Sequence, residues 1–194
     1  MNFDMSVLRK NIIKSCYEEG VSKEKVEPYI NGQYNEMQLF YICKGLKEGF
    51  DVTLYDKPEF TALEMLECVD GFEKGLSKEQ VALYANPNFH WDQMGEIKEG
   101  LLRGLTQEQV AIYAKPEFDS EQMHSIIQIL EAGVSLERVT LCAKPEFNWR
   151  QMMEIGNGLY NGLSEEKIAT YANPRIDFLA MRQMWMQMVE EQKK

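Results

Sequence analysis

The sequence predicts an all-α protein, an α-α solenoid of about thirteen helices built from 29-residue helix-turn-helix repeats across residues 1–194 as one domain. Three observations carry this expectation. Tyr84-Ala-Asn-Pro, Tyr113-Ala-Lys-Pro, Cys142-Ala-Lys-Pro and Tyr171-Ala-Asn-Pro stand 29 residues apart, and Tyr55-Asp-Lys-Pro lies 29 before the first of them. Gly20, Gly49, Gly75, Gly104, Gly133 and Gly162 recur at spacings of 29, 26, 29, 29 and 29. Apolar residues such as Met94, Ile97 and Leu101, or Met152, Ile155 and Leu159, follow the three-and-four spacing of one buried helix stripe. A lone unit cannot bury such a stripe, so units must stack.

Each unit opens on a longer helix, starting at Ser6, Asn35, Thr61, His90, Asp119, Asn148 and Asp177. Most of these are residues whose side-chain oxygen accepts from free first-turn N–H groups. Gln38, Glu64, Gln93, Gln122 and Gln151 stand three positions on, where a capping box is completed. Tyr34, Phe60, Phe89, Phe118, Phe147 and Ile176 precede the caps. Leu39, Met65, Met94, Met123, Met152 and Met181 follow four residues after them, so each pair forms a hydrophobic staple. In the first helix Lys10 takes the staple position, as expected where no earlier unit covers it. The longer helix ends at the recurring glycine, the usual left-handed terminator.

The second helix of each unit is short and starts at Ser22, Ser77, Thr106, Ser135 and Ser164. It ends at the Tyr-Ala-x-Pro segment, because proline lacks an N–H and disfavours helix in the residue before it. One unit has only the six residues Phe50–Tyr55 where another has the nine of Leu105–Tyr113, so its second helix should be a turn shorter. The final helix carries Met181, Met184, Trp185 and Met188 on one stripe, with Met186 off it. Such a helix can close the stack or serve as an adaptable docking surface.

The charge is uneven. Residues 1–50 hold seven Lys/Arg and seven Asp/Glu, while the rest hold fourteen and twenty-four, so the net −10 lies beyond residue 50. A surface of that sign repels phosphate and makes direct nucleic-acid binding an unfavoured mode. No apolar run reaches membrane-spanning length, the N-terminal segment lacks the apolar core of a signal peptide, and four cysteines without a CxxC pair suit a reducing compartment. A cytoplasmic protein is expected.

Little in the chain points to catalysis. His90 sits at a cap and His124 on a helix flank, without the partners a zinc site or a nucleophile–base pair needs. Cys16, Cys68 and Cys142 fall on repeat columns and read as buried filler. Glu18-Glu19, Glu165-Glu166 and Glu190-Glu191 are adjacent, so they do not face each other on a helix. No glycine-rich phosphate loop is present. Gly45, Gly71, Gly100 and Gly158 share a column and read as points of close helix–helix approach. No enzyme activity, cofactor or metal is expected.

The departures from the repeat carry more. Trp91 and Trp149 occupy a column that elsewhere holds Ala62, Ser120 and Phe178, a volume range that a packed core would not tolerate. Both tryptophans are therefore candidate partner anchors. The acids Asp92, Glu96 and Glu121 could steer a basic partner, and Met186 could add adaptable contact.

The pattern Y-A-x-P-x-F-x-x-x-Q-M-x-x-I-x-x-G-L-x-x-G-L, with the shorter variant G-[LF]-D-V-x-x-Y, is carried by Tyr84–Leu105, Tyr113–Val134, Cys142–Leu163 and Gly49–Tyr55. It resembles short helical repeats in proteins of phages, plasmids and conjugative elements of Gram-positive gut bacteria. The likeness covers nearly the whole chain. Its fixed positions are caps, staples, stops and stripes, so it brings no catalytic residue with it. It implies an interaction role: an acidic protein binding a basic nucleic-acid-handling protein, such as a host defence nuclease that it inhibits. The alternatives are an adaptor of a conjugative element or an RNA- or DNA-binding solenoid.

Overall fold

The computed structural model describes residues 5–193, and every regular element among them is helical. In chain order these are α1 (Met5–Glu18), α2 (Lys23–Val26), α3 (Glu36–Glu48), α4 (Ala62–Glu73), α5 (Lys78–Ala82), α6 (Trp91–Leu102), α7 (Gln107–Tyr113), α8 (Ser120–Glu131), α9 (Leu136–Val139), α10 (Trp149–Tyr160), α11 (Glu165–Tyr171) and α12 (Phe178–Gln192). Seven are long and five short. A 3₁₀ turn, Glu27–Tyr29, continues α2, and the sixth short element is a second 3₁₀ turn, Val52–Leu54, in the unit that lacks three residues. Asp51 stabilises it by accepting from the Thr53 N–H at 3.1 Å.

Helix starts follow the cap chemistry with four exceptions. Asn35, Thr61, Asp119 and Asn148 each close a full capping box with the Gln or Glu three residues on. Ser77 and Thr106 do the same for α5 and α7. Ser6 falls inside α1, which spans Met5–Glu18, and its side chain lies outside the described residues. Ser22 and Ser135 hold cap positions, but their side chains accept no capping bond. The His90 imidazole is replaced in that role by a carboxylate: Asp92 Oδ1 accepts the Gln93 N–H at 2.8 Å and contacts His90 Nδ1 at 2.7 Å.

The long helices before α12 end in a common way. The residue after the glycine donates back to the carbonyl five positions earlier, as in Leu105 N–H to Gly100 O at 3.0 Å. That geometry needs a left-handed residue, and Gly104 supplies it at φ +90°. Apart from the half-buried Ile176, the staples from Tyr34 onward are buried, with Phe60, Phe118 and Phe147 at 2 % exposure or less and Met65, Met94, Met123, Met152 and Met181 at zero.

The chain divides into two compact units, Met1–Lys98 and Glu99–Lys194, and the division falls inside α6. In the first unit α1 packs on α3 and α3 on α4; in the second α8 packs on α10 and α10 on α12. Long helices thus pack on long helices one period away. The glycine column does not mediate those contacts. A Cβ at Gly71, Gly100 or Gly158 would overlap the hydroxyl of Tyr84, Tyr113 or Tyr171 from the same repeat. The close approach is a ring folding back on its own helix.

Candidate functional site

Trp91 and Trp149 are the first residues of α6 and α10, the position that Ala62, Ser120 and Phe178 fill in α4, α8 and α12. This column lies at the surface throughout. Trp91 is 40 % exposed, and the others are half-buried. The two tryptophans nevertheless sit in opposite electrostatic settings, because the next residue is Asp92 in one case and Arg150 in the other.

In the first unit Trp91 stands beside the His90 ring, centroids 5.5 Å apart, with Asp92 and Glu96 half-buried on the same helix. Further along α6, Lys98 is buried and bonded to Glu67 at 2.6 Å and to Asp70, which also accepts from Lys74 at 2.9 Å. Burial works against the Lys98 charge, but hydrogen bonds to Asp70 and Glu67 outweigh it and raise its pKa. Asp70 likewise suffers from burial, yet hydrogen bonds from Lys98 and Lys74 hold its pKa below the usual value. This network is structural, since each charge is answered inside it.

In the second unit Glu121 is exposed on α8, and Met186 is 46 % exposed on α12. Trp149 lines a cleft of about 320 Å³ between α10 and α12, together with Arg150, Met153, Glu154, Asn157, Phe178 and Arg182. The Arg150 guanidinium lies 4.5 Å from the Trp149 ring centroid and 5.5 Å from that of Phe178. Glu154 is 2 % exposed; its Oε1 accepts from Arg182 Nε at 3.0 Å and Nη2 at 2.6 Å, and its Oε2 from Trp185 Nε1 at 2.9 Å. Met181 closes the stripe of α12 as expected, whereas Met184, Trp185 and Met188 stay half-exposed.

Arg150, Phe178, Arg182 and Glu154 do not stand out in the sequence. One signal was available: Arg150 occupies the repeat position of Asp92 and Glu121, a reversal of charge at a fixed column. That Arg182 lies 28 residues after Glu154, as Lys98 does after Asp70, emerges only once the helices are paired.

The four cysteines are buried and free of disulfides. Burial pushes the Cys43 and Cys142 thiols up to about 12, far from the thiolate a nucleophile requires. Among the described residues no group of three His, Cys, Asp or Glu side chains could hold a metal ion, and no helix is long and apolar enough to cross a membrane. The chain matches no protein-family model, no curated protein and no solved structure.

Proposed function

We propose that the chain is a non-enzymatic acidic repeat protein, its 29-residue units stacked as an α-solenoid, and that it binds a basic nucleic-acid-handling protein in the cytoplasm. The observation that carries the reading is the contrast between a fixed skeleton and a variable surface column. Caps, staples and glycine stops repeat from unit to unit, while the first two residues of the long helices change from Ala62-Leu63 to Trp91-Asp92 to Ser120-Glu121. Repeat proteins diversify exposed positions in this way while holding the scaffold constant. Packing of long helices on their neighbours, and ion pairs such as Lys44–Glu73 at 2.8 Å one period apart, support stacking in register.

An exposed Trp91 beside Asp92 and Glu96, in a chain of net charge −10, suits a cationic partner surface. The likeness to repeats of phages and conjugative elements favours an inhibitor of a host defence nuclease over a passive scaffold. The test is binding kinetics at two salt concentrations against a partner captured from the native host. Trp91→Ala should speed dissociation, with a loss of about 2 kcal/mol. Reversing Asp92, Glu96 and Glu121 together should mainly slow association, and more so at low salt. Kinetics indifferent to Trp91 and to salt would refute the proposal.

A further inference from the structure

The α10–α12 cleft has a chemistry of its own. Its side walls are aromatic, Trp149 on α10 and Phe178 on α12, and Met153 adds apolar surface. Arg150 lies over both rings, and among the described residues its guanidinium makes no ion pair with a carboxylate. Stacking leaves the in-plane N–H groups of a guanidinium directed outward, where they suit a planar two-oxygen acceptor. Arg182 contributes a second guanidinium, half-exposed, whose Nε and Nη2 serve Glu154. Glu154 is the one carboxylate lining the cleft, so two positive charges face one negative in a chain that is otherwise strongly acidic. At about 320 Å³ the space is near the lower end, roughly 300 Å³, of sites that enclose a small ligand or a side chain or two.

We infer that this cleft is a binding site for an acidic segment of a protein partner: a carboxylate seated against Arg150 and the outer edge of Arg182, with a neighbouring apolar side chain against Met153. The occupant follows from charge complementarity. A basic segment would meet two guanidinium groups, whereas a carboxylate completes the one left without an anion. This goes beyond the function proposed above, which places a basic partner surface against Trp91, and its test needs no native partner.

The probe is the blocked tetrapeptide acetyl-Glu-Phe-Asp-Glu-amide, titrated into the full chain while the indole and arginine Nε resonances are followed. Saturable shifts confined to Trp149, Arg150 and Arg182 are expected. Arg150→Gln, at an exposed position, should stay folded by circular dichroism and bind about tenfold or more weakly. The counterpart peptide with Lys at the three acidic positions should leave the same resonances unmoved. Equal binding of the lysine peptide, unchanged affinity in Arg150→Gln, or equally strong shifts with inorganic phosphate alone would each overturn the assignment.

Discussion

Where Tyr84 folds back on α4, its hydroxyl occupies the volume in which a side chain at Gly71 would begin, and it donates to the Glu67 carbonyl at 3.3 Å. The two repeats that lack this glycine also handle the ring differently. Ile129 stands in the glycine column where Cys142 replaces the tyrosine, and Cys16 stands there where Tyr29 turns away to donate to Asp56 at 2.7 Å. Ring and glycine are therefore one unit of packing. Gly71→Ala should gain about 1 kcal/mol of helix propensity but lose more to overpacking, typically about 1–3 kcal/mol in a filled core. Adding Tyr84→Phe removes the clashing oxygen, so the double variant should be more stable than the sum of the two single losses predicts. Urea unfolding of the four proteins checks this; strict additivity would mean that the ring and the helix do not compete for space.

At the element scale the capping residues do two jobs. The Gln38, Gln122 and Gln151 side-chain oxygens take the N–H of their own helix caps at 2.8–3.0 Å. Their amide nitrogens reach the next repeat, donating to Pro58 and Phe60, to Pro145 and Phe147, and to Pro174 and Ile176. Each thus ties one helix start to the loop before the following one. Glu64 occupies the same place and closes its capping box, with Thr61 N–H to Oε2 at 2.7 Å, but a carboxylate has no N–H to offer the loop carrying Pro87 and Phe89. Glu64→Gln should supply the missing link and add about 1–2 kcal/mol, a rise in Tm of roughly 2–4 °C per kcal/mol. Calorimetry at neutral pH measures it, and a fall in Tm would mean that the loop after α5 is held by another contact.

For the whole molecule, modularity is the property to test. Removing residues 119–147 takes out one 29-residue period, α8 and α9, and joins Phe118 to Asn148 so that a staple residue still precedes a cap. If repeats contact only neighbours, the shortened chain should keep its helical ellipticity per residue and still unfold cooperatively. Loss of helical structure would indicate a closed bundle in which each helix depends on distant ones.

Helix content, helix boundaries and the buried stripe were legible in the residues, because caps, staples, glycine stops and proline breaks act over a handful of neighbours. The shortened unit was legible too, as a deletion of three residues that leaves room for one 3₁₀ turn. What the sequence left undecided depends on partners about one period away or on three-dimensional proximity. The column of Gly71 and Gly100 reads equally well as a seam between helices, and only folding shows that a tyrosine ring fills it. Exposure of the tryptophan column followed from its tolerance of Ala, Ser and Trp, but the character of each tryptophan did not. Trp149 lies in a cationic cleft because α12 brings Phe178 and Arg182 alongside α10, a juxtaposition set by side-chain packing between helices. Local chemistry determined the elements; long-range packing decided which charges meet, and with them what the surface can bind.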